Sequence, residues 1–540
     1  MKRKSISCMV LMILLLIGSV PALLFATGNQ EKTTNAKGDA FDSTGKLVSS
    51  PATIRILMTD SAPQPLKNYA PAQQAIFEKT GVKLDYEIVP FSSYDDKKNI
   101  LLATNNWPDL AYIKVEDVAT YAPTGIFQPL MQYVNEKDMP NFYKFWQEYP
   151  EMKKYLLDGE LYVFPVIQRE ESANGYGPVI RTDLLKANNL PIPQSFDELL
   201  QELAQLKKIY PNSIPWTGRK GTTQLLKTTS YMLGSGYEQV GIYYDFDKGK
   251  YVFGPASQEF KAVLATLNKA YSMGVLDPDF ATTTSEQLES KMSSGRSFFF
   301  LDNSGFGVNY TKALRKLPGN EDAVLQIIPI PKNSFGESRA ISYPKELPGR
   351  FYAVNAGSKN IETVVKLVDW LYGKEGSDIS NYGKEGYSFE YNAAGEPEFK
   401  MDYVEKFRDA TPSSYYAIYS DLGITKLNFS MYACNTKTWF EIEKMLGNWD
   451  SISDEYWKIV ANDKAYHSPV INPSLTIEES ERTADILMEL NTMLAQEYNK
   501  YIMGLEPVQN WDKVIKRCES MGVRELEQIY NDANARAMQR

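Results

Sequence analysis

Apolar and polar positions alternate along Ala52–Met58 (ATIRILM) and again along Val82–Val89 (VKLDYEIV). Such period-two alternation, rich in β-branched residues, predicts strands, because successive side chains leave a pleated strand on opposite faces. Between them, Ala72–Lys79 has the spacing of a short helix. The order strand, helix, strand predicts a parallel α/β unit. A helix around Tyr94–Thr104 and a short apolar strand at Pro108–Ile113 follow. Helices are expected over Asp183–Asn188 and Ser195–Tyr210, the second with Glu198 at capping-box distance from Ser195. In Thr363–Tyr372, the residues Val364, Val365, Leu367, Val368 and Leu371 fall on one stripe, which predicts an amphipathic helix. From Thr476, with Glu479 again at capping-box distance, apolar residues from Ile486 to Ile502 repeat at helical spacing. Two more helical patterns, around Trp511–Met521 and Arg524–Arg540, close the chain. The pattern predicts an α/β fold with a helical C-terminal third.

The first 26 residues read as an address. Lys2, Arg3 and Lys4 precede the apolar run Val10–Val20, and small residues lead to Ala26. A cleavable signal peptide over 1–26 is expected, with an uncleaved N-terminal anchor as the alternative. Cys8 lies before the apolar run, where it cannot serve as a lipid-attachment cysteine. Residues 27–50, rich in Thr, Lys, Gly, Asp and Ser, are expected to form a flexible tether. The mature chain is therefore expected in the periplasm or outside the cell, without a lipid.

Composition narrows the chemistry. The 540 residues are 43% hydrophobic and 23% charged, in the range of an ordered globular protein. Against 58 basic residues stand 67 acidic ones, a net charge of −9. Without a basic stripe, nucleic acid is not an expected partner, because phosphate neutralisation needs clustered Lys and Arg. A single histidine, His467, cannot build an HExxH or three-histidine metal site. No GxSxG elbow or phosphate loop is present, and His467 sits in a Pro- and Asn-rich stretch that suits a loop better than a catalytic triad. No catalytic residue, metal or cofactor is expected. Aromatic residues are the positive signal: 35 Tyr, 24 Phe and 8 Trp, many beside Gly, Asn or Asp. Flat apolar rings next to amides and carboxylates suit sugars, although for any single ring packing of a loop onto the core is the more expected role.

A series of collinear stretches runs from Leu102–Asp109 (LATNNWPD), Tyr121–Leu130 and Asp158–Pro165 through Ile180–Leu206, Gly274–Phe280 and Gly295–Phe300. Asn355–Tyr372, Gly383–Tyr391, Tyr501–Trp511 and Leu526–Arg536 complete it. Together these stretches resemble family 1 of the extracellular solute-binding proteins, in particular the large, lipoprotein-like branch that serves carbohydrate ABC transporters. The resemblance implies a two-lobed periplasmic-binding-protein fold of type II, with hinge crossings and a helical C-terminal extension. It implies an N-lobe of 51–166 plus about 332–400, and a C-lobe of about 167–331 plus about 401–540. The chain would cross near Val166–Arg169 and near Ile327–Pro331. Two features depart from the branch. The lipidated cysteine is missing, and Pro211–Pro215 cannot supply the oxygen ligands of a calcium loop that some relatives carry.

By the same resemblance, ligand-binding residues are expected in the loops that line the cleft. The N-lobe would supply Trp107, Tyr112 and Glu116, and the first crossing Gln168, Arg169 and Glu170. The C-lobe would supply Trp216, Arg219, Asp302 and Asn303, and Glu385 and Tyr387 would close the ligand from another side. For Arg169, an inter-lobe salt bridge to a carboxylate is the alternative. The expected function is capture of a carbohydrate, an oligosaccharide, by a monomer that hands it to the membrane permease of an ABC transporter. The same fold with a peptide or polyol ligand is one alternative, and an exported glycosidase or polysaccharide lyase is another. With Cys8 removed, Cys434 and Cys518 could form one disulfide, but two buried free thiols are expected.

Overall fold

A computed structural model describes residues 46–539 apart from 61–63, 170–175, 237–240, 247, 341–346, 348, 425–428 and 461–470. The signal segment and most of the tether lie outside the described residues. Strand β1 (Ala52–Asp60) pairs in parallel with β2 (Val82–Pro90) across the helix Pro71–Thr80, as the alternation predicts. Gly81 ends that helix at φ 74°, and a side chain there would also press on Val48 at 3.0 Å. β1 pairs on its other edge with β3 (Leu110–Ile113), so it is central, and Ile56, Leu57 and Met58 are buried in succession rather than alternately. β4 (Phe164–Pro165) and β11 (Phe351–Val354) complete a five-stranded sheet in the order β2-β1-β3-β11-β4. β11 runs antiparallel to both neighbours. The helices Tyr94–Ala103 and Ile361–Tyr372 form as expected, and the valine and leucine stripe of the second enters this core.

A second core surrounds a three-stranded sheet. β6 (Tyr176–Arg181) lies between β9 (Phe299–Asn303) and β10 (Leu325–Ile327), antiparallel to both. The helix Phe196–Ile209 sends Leu199, Leu200, Leu203 and Leu206 into this core. An antiparallel hairpin, β7 (Ile242–Asp245) and β8 (Lys250–Phe253), lies beside it. The C-terminal helices Ile477–Ile502, Trp511–Ser520 and Val523–Met538 pack on the same core through Ile486, Leu490, Leu494, Trp511 and Leu526. Each such fully buried aliphatic side chain contributes about 1.5–3 kcal/mol, enough to make the tail part of the lobe. The protein is a two-lobed α/β molecule with a helical C-terminal region.

Residues 382–446 build a third, smaller core around Tyr382, Phe389, Tyr403, Tyr419 and Ile442, which the hydrophobic pattern did not foretell. It carries the hairpin β12 (Phe389–Tyr391) and β13 (Pro397–Phe399). From it, β14 (Tyr432–Ala433) pairs in parallel with β5 (Ile167–Gln168). The amides of Ile167 and Arg169 donate to the carbonyls of Met431 and Ala433, and the Val166 amide donates to the Arg350 carbonyl. Three stretches of chain thus run side by side at the margin of the first core, by the expected crossing at Val166–Arg169.

Cys434 lies in the third core and Cys518 in the C-lobe core, both reduced and buried. Burial pushes the Cys518 thiol up to about 12, so it stays protonated and unreactive in the native state. The chain beginning after Ala26, denatured without reductant, should therefore titrate two thiols; none would mean a disulfide.

Candidate ligand cleft

The strand registers identify the end of each sheet that faces the crossings. In the N-lobe, Pro165, Phe351 and Ile113 stand side by side at that end. In the C-lobe, Tyr176 at the start of β6 stands opposite Asn303 at the end of β9. Side chains at these two ends are the ones a cleft between the lobes can present to a ligand.

On the C-lobe side, Trp216 forms a parallel bridge with Phe299, and the next residues run beside β9 to bring Arg219 to Asp302. The guanidinium grips the carboxylate with two bonds, Nε to Oδ2 and Nη2 to Oδ1, both 2.9 Å. Asp302 also accepts the Asn303 amide at 2.7 Å. Burial works against the Arg219 charge, but the Asp302 carboxylate outweighs it and holds the guanidinium above its ordinary value. Phe306, half-buried at the start of the helix Gly305–Leu314, lies under Arg219 with its ring centre 5.0 Å from the guanidinium carbon. Gly305 lets the helix start close to its neighbours, since a Cβ would crowd Asn303 Oδ1 at 3.2 Å and the Trp439 ring at 3.3 Å. Trp439 leads on to Tyr415 at 6.0 Å between ring centres, and Tyr415 to Tyr416 at 4.3 Å. Both tyrosines are half-buried. The buried Trp439 Nε1 and Asn309 Oδ1 have no hydrogen-bond partner among the described residues. The result is a polar pair flanked by partly open rings, with a donor and an acceptor left over. That arrangement can stack on an apolar ring face and bond its hydroxyl groups.

On the N-lobe side, Tyr112 is half-buried between Tyr94 and Tyr352, with ring centres 5.8 and 5.9 Å away. Burial raises its phenol, and the nearby Arg350 and Lys114 charges act in the opposite direction. The Thr59 hydroxyl at the end of β1 is buried without a partner among the described residues. Phe91, just past β2, is 63% exposed.

Gln168 and Arg169 lie on the first crossing and are buried. Arg169 is committed to protein partners: Nη1 donates to Asp378 at 3.1 Å, Nη2 to Glu396 at 3.3 Å, and the guanidinium lies over Tyr432. Asp378, fully buried, also accepts from Lys374 at 2.9 Å and from the Tyr391 hydroxyl at 3.2 Å. The salt-bridge reading of Arg169 is the one that the geometry favours.

Four expected residues are elsewhere. Trp107 precedes β3 and so lies at the end of the sheet away from the crossings, buried edge-on against Phe127 at 5.6 Å. Trp216 is 1% exposed, a core residue packed edge-on against Phe299. Neither offers a face to a ligand. Glu385 is exposed, and Tyr387 donates to Asp421 at 3.3 Å and packs on Tyr403 at the surface of the third core, so neither stands on the two walls described above. Glu170 and the Glu116 side chain lie outside the described residues. Phe306, Tyr415, Tyr416 and Trp439 were missed, although the rings in Gly305-Phe306-Gly307 and Ser413-Ser414-Tyr415-Tyr416 carry the same small-residue-plus-aromatic signal. Among the described residues no cluster of His, Cys, Asp and Glu could hold a metal ion, and no helix is long and apolar enough to cross a membrane.

Residues 59–378 match the family model described as bacterial extracellular solute-binding protein. The chain belongs to that family. This solute-binding protein is 24% identical over 387 residues to Lipoprotein LipO of Bacillus subtilis (strain 168), covering 68% of this chain and 72% of the relative. It is 24% identical over 483 residues to the polygalacturonan/rhamnogalacturonan-binding protein YtcQ of the same organism, covering 86% of this chain and 87% of the relative. Among solved structures, alginate-binding protein AlgQ2 without calcium ion superposes with a TM-score of 0.68 at 20% identity, over 92% of this chain and 100% of that one. The last likeness concerns the fold.

Proposed function

We propose that this solute-binding protein captures an oligosaccharide between its lobes and delivers it to an ABC transporter permease, without chemical turnover. The observation that carries this reading is the C-lobe wall: Arg219 and Asp302 flanked by the half-buried rings of Phe306, Tyr415 and Tyr416. Tyr112, Asn303 and Gln168 would complete the site from the N-lobe, the C-lobe and the crossing. The names of YtcQ and AlgQ2 point to polysaccharide-derived ligands for those proteins, which supports the same class here. Cleavage after Ala26 would release the chain unlipidated outside the cytoplasmic membrane.

Calorimetry with a panel of pectic, alginate and fructan oligosaccharides tests this reading. One member should bind at one per chain with no sugar released; a released product would overturn the binding-protein reading. Phe306→Ala should weaken that binding about ten-fold, the effect of losing one stacked ring together with its cation–π contact. Unchanged affinity would remove Phe306 from the site.

A further inference from the structure

The lobes also meet away from the paired crossing strands. On the N-lobe side is the 3₁₀ turn Pro150–Tyr155, anchored in the N-lobe core by Met152 and Tyr155. On the C-lobe side are the β7–β8 hairpin and the helix Val523–Met538. Asn531 of that helix accepts from the Tyr251 amide at 2.8 Å and donates to its carbonyl at 2.9 Å. Glu527 accepts from the Phe253 amide at 2.8 Å. Helix side chains thus take the place of a neighbouring strand along β8, and hairpin and helix move as one body. Tyr244, Tyr251 and Tyr530 form its aromatic face, with ring centres 5.3 and 5.5 Å apart.

The N-lobe turn meets this face through Lys154, whose Nζ lies 5.9 Å from the Tyr244 ring centre. The stretch from Ile471 to Thr476 straps the two sides together. Ile471 packs on the N-lobe core, while its carbonyl accepts from the Tyr251 hydroxyl at 3.1 Å. Ser474 donates to the Lys154 carbonyl at 3.0 Å, and Thr476 caps the C-lobe helix Ile477–Ile502.

Lys154 is the informative residue. Its neighbour Lys153 is exposed, yet Lys154 is 2% exposed, with its ammonium 2.7 Å from Glu151 of the same turn. A surface turn buries a lysine this deeply only when something covers it, and here the cover includes the hairpin of the other lobe. The join is not fully packed. A crevice of about 50 Å³ remains between Leu156, Asp158, Ser474, Ala533 and Arg536. A seam that holds a buried charge and a water-sized gap gives up little when water replaces its contacts, so it can part and re-form.

We propose that this seam is an inter-lobe latch that sets the balance between lobe arrangements and thereby tunes ligand affinity from outside the cleft. Its effect on affinity rests on the capture function proposed above; the latch itself is a property of the unliganded chain. Two variants of the mature chain should act in opposite directions. Tyr244→Ala loosens the seam, and acylation of Lys154 by an amine-reactive ester, measured relative to Lys153 by peptide mass spectrometry, should rise on the order of ten-fold. Lys154→Met replaces a buried charge with an apolar chain and tightens the seam. The radius of gyration of the two unliganded variants, from small-angle X-ray scattering, should shift to opposite sides of wild type. Affinities for the panel member that binds should move in opposite directions by several-fold. The latch is overturned if wild-type Lys154 reacts as fast as Lys153, if both variants keep the wild-type radius, or if the radii shift while both affinities stay unchanged. If the radii respond but no oligosaccharide binds any form, the latch stands and the carbohydrate reading fails. Should Tyr244→Ala not fold, Lys154→Met alone decides, by a radius and an affinity that move or do not.

Discussion

Unliganded Arg169→Ala protein is expected to be about 3 kcal/mol less stable than wild type, the cost of stripping one partner from a buried ion pair. Asp378 is fully buried, and its remaining donors are Lys374, on the exposed side of the same helix, and the Tyr391 hydroxyl. Loss of the guanidinium also removes the contact with Glu396 and the stacking on Tyr432, loosening the β12–β13 hairpin from the crossing strand. Arg169→Lys should recover only part of the loss, because a single ammonium cannot reach two carboxylates with a planar fork. Urea denaturation without ligand measures both effects. A ligand-binding Arg169 would give the reverse: weaker binding at unchanged stability. Unliganded stability within about 0.5 kcal/mol of wild type would restore that view.

Glu443→Gln should stabilise the protein at pH 8 by up to about 3 kcal/mol and leave it nearly unchanged at pH 5. Glu443 lies fully buried on the helix Asn435–Met445, with Asn448 donating to one oxygen at 2.5 Å and the other unpartnered among the described residues. Burial pushes its carboxyl up to about 7 from an ordinary 4.5, and Asn448 and the Lys312 charge offset only part of this. A carboxyl whose folded value is raised is charged in both states above pH 7, where the cost of burying the charge is felt in full. As the pH falls from 7 towards 4.5, the folded state takes up the proton first and stability rises. Glu202, also pushed up to about 7 by burial, adds a wild-type contribution of the same sign. The variant lacks the Glu443 titration, so its advantage should shrink with acidification. Denaturation curves at pH 5, 6, 7 and 8 test this, and an equal offset at every pH would mean that the Glu443 carboxyl titrates alike in the folded and unfolded states and that burial does not raise it.

The elements legible in the sequence are those whose cause lies within a turn or two of chain. Thr476 and Glu479 cap each other in the structure as their spacing predicts. The Ser195 hydroxyl likewise accepts from the Glu198 amide, but the Glu198 carboxylate accepts from Gln194 instead of Ser195. The strands at 52–60 and 82–90 and the helix at 361–372 follow from period and stripe alone. Asp302 and Asn303 follow the apolar run Phe298–Leu301, so a place at the end of a strand is also legible for them, and they stand at the end of β9 opposite Tyr176 and Gly177.

What only the tertiary structure decided is which distant residues meet. Arg169 finds Asp378 and Glu396 more than two hundred positions later, and any of 67 acidic residues could have been chosen on charge alone. Trp216 and Phe306 look alike in sequence, each an aromatic beside glycine or proline. The first is drawn into the core because its segment bridges to Leu276 and Phe299, and the second stays half-open because its helix starts past the end of β9. Hydrophobic period reports which face of an element is buried. It does not report against what, because partners are chosen by topology and close packing, which act through space rather than along the chain.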